Sequence, residues 1–477
     1  MNSIVSKRIM IAAPSSQSGK TVVTCALLEV LKRNGLNPIS FKVGPDYIDP
    51  MFHKKILGID SKNLDTYFSG EDGVKSIVSD SGDRYSVIEG VMGLYDGTSV
   101  EGTSGSSYEV ASVTQTPIIL VIDASGVGRT VISTIKGMLL DDENHLIKGV
   151  ILNKMTEGFY IKLKPVLELE LSKIRENIKV LGFFPKKPDI CIESRHLGLK
   201  LPSEIDDIKK KIADAADTLE KYIDMGEILS IMEGAEHIDI CDEHIQTDFL
   251  EENGELILAV AYDDAFCFYY KENLELFEKL GVKIKYFSPL ADTELPDECD
   301  GILLGGGYPE NYLAQLSENS SMLASIKKAI DKGIPSLAEC GGFMYLHKEI
   351  TDQNGDSYHM VGTVDGRCFY TGHLVRFGYM SIEGLNLTLD EKNSVTENYE
   401  LMKSLVGMKG HEFHYYDSSF NGEAYVACKP NKEKNWKCVV ALSNGIWGFP
   451  HFYYNSNPGF IRAFINKMKE VKNGEFK

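Results

Sequence analysis

The sequence predicts an α/β protein of two domains, a P-loop-type parallel-sheet domain followed by a second α/β unit. Three observations carry that prediction. Short apolar runs alternate with helix-length amphipathic stretches through most of the chain, the pattern of parallel βαβ units. A Gly-Lys-Thr run follows the first apolar run, at the first strand-to-helix turn. And 477 residues exceed one core at roughly 100–200 residues per domain.

Taken in order, the apolar runs predict strands at Arg8–Ala13, Pro38–Val43, Ser86–Gly90, Pro117–Asp123, Lys148–Asn153 and Lys179–Phe184. Between the first two, a helix over Thr21–Arg33 is stopped by Asn34-Gly35. Ser203–Ile223 is polar with apolar residues at helical spacing. It leads into Asp224–Glu255, which holds eleven carboxylates and no Lys or Arg and reads as a solvated linker. A second series predicts strands at Leu256–Tyr262, Val282–Phe287 and Gly301–Leu304, a helix over Ser320–Lys332 and a strand at Ser336–Ala338. From about Met360 to His451 the texture is β-like and rich in turns. The expected bounds are a first domain over 1–200, a helical and acidic linker over 201–254, a second domain over 255–455 and a carboxy-terminal tail or helix over 456–477.

Composition narrows the partners. The chain is 43% hydrophobic and 25% charged, which excludes fibrous and wholly disordered classes. With 50 Lys plus Arg against 69 Asp plus Glu, the net charge of −19 offers no basic stripe for nucleic acid. Apolar stretches such as Pro117–Ile122 are strand-sized, short of the ~20 residues a bilayer requires, so no membrane partner is expected. The start, Met1–Ile11, lacks a signal core. Nine cysteines without a Cys-x-x-Cys pair fit a reducing cytoplasm.

The first candidate site is the run Ala13-Pro14-Ser15-Ser16-Gln17-Ser18-Gly19-Lys20-Thr21. A phosphate loop needs backbone N–H groups at a helix N-terminus, a lysine for the outer phosphates and a hydroxyl for Mg²⁺. Ser16, Gln17, Ser18, Gly19, Lys20 and Thr21 supply these, although Pro14 replaces the usual opening glycine. Acids after parallel strands face the ligand crevice. Glu89 ends one apolar run, and Asp46 and Asp49 follow another. Thr21, Asp46 and Glu89 are therefore expected at Mg²⁺, which takes few carboxylates. Tyr47, Asp49 and Asp96 are left to the substrate. Gly-Pro-Asp and Asp-Gly also form turns, but four acids in two such loops exceed what turns require.

The second candidate site is Ser336-Leu337-Ala338-Glu339-Cys340-Gly341-Gly342, a strand, a sharp turn and a helix. That geometry exposes a thiol and aims a helix N-terminus at it, which lowers its pKa. The amide of Gly341, with Gly306 from the Gly305–Gly307 run, suits an oxyanion hole. The base is His451, His411 or His414; spacing favours His451 only slightly.

These motifs resemble the cobyrinate a,c-diamide synthase family of glutamine-dependent corrin amidotransferases nearly end to end. The resemblance rests on Lys42-Val43-Gly44-Pro45-Asp46-Tyr47-Ile48-Asp49-Pro50, Glu89-Gly90-Val91-Met92-Gly93-Leu94-Tyr95-Asp96-Gly97 and Ser194-Arg195-His196-Leu197-Gly198-Leu199. In the second half it rests on Asp264–Tyr270, Leu304–Glu310, Ala338–Gly342 and Gly410–His414. It implies an ATP-dependent amidoligase domain, similar to dethiobiotin synthetase-like ATPases, and a class I glutamine amidotransferase domain. It implies His451 as the base of Cys340. Tyr453 stands where relatives often carry a second His, and no Glu follows, so the group orienting His451 is unassigned. The implied substrates are ATP, L-glutamine and cobyrinate, with Mg²⁺ as cofactor.

The expected reaction amidates the a and c acetates through acyl phosphates, with ammonia from the thiol site on a sheltered path between domains. Nickel-sirohydrochlorin is the nearest rival substrate. A partition-type regulatory ATPase is the rival class, disfavoured because Ser15 and Ser16 stand where its extra lysine belongs. Tyr47, Arg195 and His196 are further candidate substrate neighbours, and a homodimer is left open.

Overall fold

The computed structural model describes residues 2–4, 6–187, 194–195, 198–199, 208–240, 255–386 and 399–474. The chain divides into two compact units, Met1–Glu243 and His244–Lys477. Among the described residues no helix is long and apolar enough to cross a membrane.

The first unit is built on a seven-stranded sheet whose strands all run parallel. Across it lie Ser61–Leu64, Pro38–Val43, Tyr85–Glu89, Arg8–Ala12, Ile118–Asp123, Ile147–Asn153 and Lys179–Phe184. The Arg8–Ala12, Pro38–Val43 and Tyr85–Glu89 strands are buried along their whole length, so apolar residues occupy both faces. Arg8–Ala12 is central, between the Tyr85–Glu89 and Ile118–Asp123 strands. The chain reverses its winding there, and such a switch point opens a crevice at the strands' carboxyl ends.

The segment expected as a linker begins as part of this unit. In the helix Ile208–Tyr222 the buried residues Ile208, Ile212, Ala215, Ala216 and Leu219 recur at helical spacing. That face packs on the Lys20–Arg33 helix, and Arg33 Nη1 meets Asp217 Oδ1 at 2.6 Å. Asp224 caps the next helix, Met225–Glu233, by accepting from the Glu227 amide. The remaining acidic stretch over 241–254 lies outside the described residues.

The second unit centres on a six-stranded sheet. Its order is Val282–Phe287, Leu256–Ala261, Gly301–Leu304, Ser336–Glu339, Gly445–Gly448 and Val440–Ala441, and only the last strand is antiparallel. A five-stranded antiparallel sheet includes Arg376–Leu385, Lys409–His414 and His451–Phe452. The helix Pro458–Lys472, in the segment expected as a tail or helix, buries Phe460, Ile461, Phe464, Ile465 and Met468 in the same core as Leu258 and Leu303. At about 1.5–3 kcal/mol for each such buried side chain, it is an integral part of the unit.

Candidate active sites

At the end of the Arg8–Ala12 strand, the loop before the Lys20–Arg33 helix turns through left-handed backbone at Gln17 (φ 61°) and Gly19 (φ 95°). A Cβ on Gly19 would lie 2.1 Å from Asn153 Nδ2, so only glycine fits. Asn153 Nδ2 also donates to Ser18 O at 2.7 Å. Lys154 Nζ spans the loop to Gln17 O at 3.3 Å and Asp123 Oδ2 at 2.6 Å. No side chain caps the helix, which leaves its first amides for an anion. Ser15, Ser16 and Gln17 are exposed and Ser18 is buried. Lys20 folds back over the loop, donating to Ser15 O at 3.1 Å and Met92 O at 2.5 Å. Burial, helped by Lys42, lowers its pKa to about 8.

Beneath the loop, Thr21 Oγ1 donates to Glu89 Oε1 at 2.6 Å. The same oxygen takes Lys42 Nζ at 3.1 Å, and that ammonium also meets Asp49 Oδ2 at 2.5 Å. Lys42 stands opposite Glu89 in the parallel ladder. Burial alone would lower the Lys42 pKa, but Asp49, Glu89 and Asp46 together hold it above the usual value. Burial pushes Glu89 up. Among the described residues Glu89 Oε2 has no hydrogen-bond partner. That buried orphan oxygen beside the Thr21 hydroxyl fits a small divalent cation.

Asp46 is held by the turn it starts. Its Oδ1 accepts from the amides of Ile48 at 2.8 Å and Asp49 at 3.2 Å, fixing the turn into the short Ile48–Phe52 helix. Burial, then Asp49, raises its pKa to about 7. Asp96 Oδ2 accepts from Gly93 N at 2.9 Å. Its loop hangs on the nucleotide loop through Leu94 N to Ala13 O at 2.8 Å. Tyr47 is buried and precedes the Ile48–Phe52 helix. Of Arg195 only the backbone, in the Ser194–Arg195 strand, is described, and His196 lies outside the described residues. No cluster of three or more metal-holding His, Cys, Asp or Glu side chains occurs among the described residues.

In the second unit Cys340 sits at φ 47°, ψ −105° between the Ser336–Glu339 strand and the Gly341–Leu346 helix. Such a conformation costs a non-glycine residue about 1–3 kcal/mol and marks a functional turn. It is fixed by Cys340 N to Gly448 O at 2.8 Å and Gly342 N to Gly305 O at 2.9 Å. A Cβ on Gly341 would lie 3.2 Å from Gly307 N, and one on Gly342 only 2.1 Å from Leu304 O. On Gly306 it would lie 2.2 Å from His451 Cε1. The Gly305–Gly307 loop therefore touches the Cys340 turn on one side and the His451 imidazole on the other. Of the three candidate bases, His451 is the one packed against this loop.

His414 Nε2 meets Glu412 Oε2 at 2.9 Å, and its ring stacks on Phe449 at 4.1 Å. His411 stacks on His451. Burial drives the Cys340 thiol up, and Glu310 adds to this; the Gly341 amide opposes it. The sequence expectation of a depressed thiol pKa is thus overturned, because desolvation outweighs the end of a six-residue helix. Burial, then His411 and His414, holds His451 well below the usual imidazole range.

Residues 9–199 match the model of the CobQ/CobB/MinD/ParA nucleotide binding domain. Residues 257–449 match that of the CobB/CobQ-like glutamine amidotransferase domain. The cobyrinate a,c-diamide synthase of Clostridium tetani is 38% identical over 470 residues, covering 97% of this chain and 100% of that protein. The chain belongs to the cobyrinate a,c-diamide synthase family. Cobyrinate a,c-diamide synthases of Caldanaerobacter subterraneus subsp. tengcongensis and Picrophilus torridus are 37% and 36% identical, covering 96% and 97% of this chain and 97% and 99% of those proteins.

Like other cobyrinate a,c-diamide synthase family members, the chain is a glutamine amidotransferase ligase with a nucleotide-binding unit. Within that frame, sequence reasoning missed three residues. Lys42 is a lysine in an otherwise apolar strand, which was the available signal. Asn153 and Lys154 follow from the end of a predicted strand, where side chains face the crevice.

Proposed function

We propose that this chain uses ATP and L-glutamine to amidate the a and c acetate carboxylates of cobyrinate. The observation that carries the reading is the pair of built sites in one chain, the Thr21–Glu89–Lys42 nucleotide loop and the Cys340–His451 turn. Substrate carboxylate oxygen attacks the γ-phosphorus, ADP leaves, and an acyl phosphate forms. Lys20 and the loop amides bind the phosphates and offset the charge that moves. Thr21 and Glu89 would hold Mg²⁺, which when bound neutralises phosphate charge. Lys42, Asp49, Asp46, Tyr47 and Asp96 line the substrate side.

At the other site Cys340 Sγ attacks the glutamine amide carbon. Its proton passes to His451 Nε2 or Nδ1 and on to the leaving nitrogen, releasing ammonia and leaving a thioester that water hydrolyses to glutamate. Both groups start neutral, so deprotonation accompanies attack. The Gly341 amide and the Gly306–Gly307 backbone suit the oxyanion. Ammonia then attacks the acyl phosphate, and inorganic phosphate leaves with the amide formed.

The test is amidation of cobyrinate beside nickel-sirohydrochlorin, with glutamine or ammonium as donor. Turnover on the nickel compound alone would replace the substrate. Cys340→Ser should abolish glutamine-driven turnover and retain the ammonium-driven reaction; unchanged glutamine use would remove the glutaminase assignment.

A further inference from the structure

An imidazole acting as a base must be held in one orientation, and in Ser/Cys–His–acid triads a carboxylate at Nδ1 does this. Two buried glutamates of this unit hold neighbouring residues in place. Glu339 Oε1 accepts from Tyr454 OH at 2.7 Å, and its carboxylate also takes the Phe452 amide. Glu412 accepts from Trp436 Nε1 at 2.9 Å and meets His414 Nε2 at 2.9 Å.

A second imidazole faces His451. His411 and His451 stand opposite each other in the antiparallel ladder, and their rings stack at 5.0 Å with 15° between planes. A Cβ on Gly410 would lie 2.4 Å from His451 O, so the glycine lets the two strands close up. Against the far edge of the His451 ring sits Gly306. His411 is itself fixed: Tyr270 OH lies 3.1 Å from His411 Nδ1, and the Tyr270 ring packs edge-on to Tyr453 at 5.5 Å. Tyr270 belongs to the Asp264–Tyr270 motif, for which the reaction itself leaves no task. Its neighbour Tyr269 braces the other wall, accepting from Gly305 N at 2.8 Å.

We propose that His411 is a positioning residue of His451, a stacked ring that Tyr270 holds in place. The inference rests on the reading of Cys340 and His451 as the glutaminase pair. Stacking supplies orientation, and a neutral neighbour supplies no counter-charge for an imidazolium. Burial lowers the pKa of His411 to about 3 and Lys429 adds to this, so the pair stays uncharged. His414 acts on His451 electrostatically, and Glu412 pairs with His414 and Arg376 beside it.

The experiment measures glutamate release and ammonium-driven amidation by the full chain, with the pH dependence of Cys340 alkylation by iodoacetamide. His411→Ala should lower the glutaminase kcat about 10²-fold, the cost of a misplaced reacting group, with KM for glutamine and the ammonium reaction unchanged. His411→Phe keeps a flat ring and should restore most of that loss. If His411→Ala fails to fold, His411→Phe and Tyr270→Phe decide: the first should retain turnover, and the second should lower kcat without touching KM. Parental kcat and a parental alkylation profile in His411→Ala, or in Tyr270→Phe when that variant decides, would overturn the proposal. Loss in His411→Phe as deep as in His411→Ala would also overturn it. Glutamine use surviving in Cys340→Ser would instead remove the glutaminase reading beneath it, so the two failures are distinguishable.

Discussion

Replacing Gly306 with alanine adds one methyl group at the point where the Gly305–Gly307 loop meets the His451 ring. The new Cβ would lie 2.2 Å from Cε1, 3.0 Å from Nδ1 and 3.3 Å from Nε2, where ordinary contact begins at 3.4 Å. Gly306 is not among the residues with left-handed backbone, so the collision rather than φ strain sets the cost. His451 has little room to retreat: it is buried and backed by His411. The loop is also tethered, by Tyr269 OH to Gly305 N and by Tyr308 N to Ala265 O. One partner must move by about 1 Å, a displacement that costs about 10²-fold in rate, or about 2.7 kcal/mol of barrier. The assay compares glutamine-driven with ammonium-driven turnover at saturating ATP. Only the former should fall. A Gly306→Ala variant that hydrolyses glutamine within about threefold of the parent rate would refute the contact between this loop and a working base.

Three further outcomes follow from the same geometry. Gly19→Ala places a methyl group 2.1 Å from Asn153 Nδ2 at φ +95°, so ATP affinity by calorimetry should drop by at least about tenfold while glutamine hydrolysis persists. Lys42→Met leaves the buried carboxylates of Asp49 and Glu89 without their shared cation; urea denaturation should show a loss of about 3–5 kcal/mol, partly recovered by adding Asp49→Asn. Burial raises the Glu339 carboxyl from 4.5 to about 8, so the native state keeps a proton that the unfolded chain releases. That contribution is complete below about pH 4.5 and is lost as pH rises toward about 8. Glu339→Gln should remove this dependence, gaining on the parent by a few kcal/mol between those pH values; parallel urea curves at both would disprove it.

Much of the fold was legible because the central strands of both units are mostly parallel and alternate with helices. Runs such as Pro38–Val43 and Val282–Phe287 announce themselves, and each is a strand with those bounds. Ser61–Leu64 was not legible, since Ser-Lys-Asn-Leu carries no apolar run and becomes a strand through its ladder with Pro38–Val43. The helical spacing over Ser203–Ile223 was legible, and Ile208–Tyr222 is a helix, but its docking on the Lys20–Arg33 helix was not, because the segment's charge reads as a solvated linker. At the nucleotide loop the acids could be read from their place after strands. For Lys42 the only signal was a charge inside a strand, and its role follows once both of its carboxylates are known to converge on it. The His411–His451 stack depends on strand register, which short-range pattern does not encode.

The two candidate sites share one device, a glycine whose missing side chain makes room for a neighbour. At Gly19 the space a Cβ would fill is taken by the amide of Asn153, and at Gly306 by the imidazole of His451. In each case the functional side chain approaches the backbone more closely than any side-chain-bearing residue would permit. The Lys20 and His451 side chains beside these loops are buried. Burial is costly for charge: it lowers Lys20 to about 8 and holds His451 neutral. Each site is therefore poised for a ligand that restores what burial removed, an anion beside Lys20 and a developing oxyanion beside Cys340. Filling either glycine with a methyl group should separate the two activities, because each collision is confined to one unit of the chain.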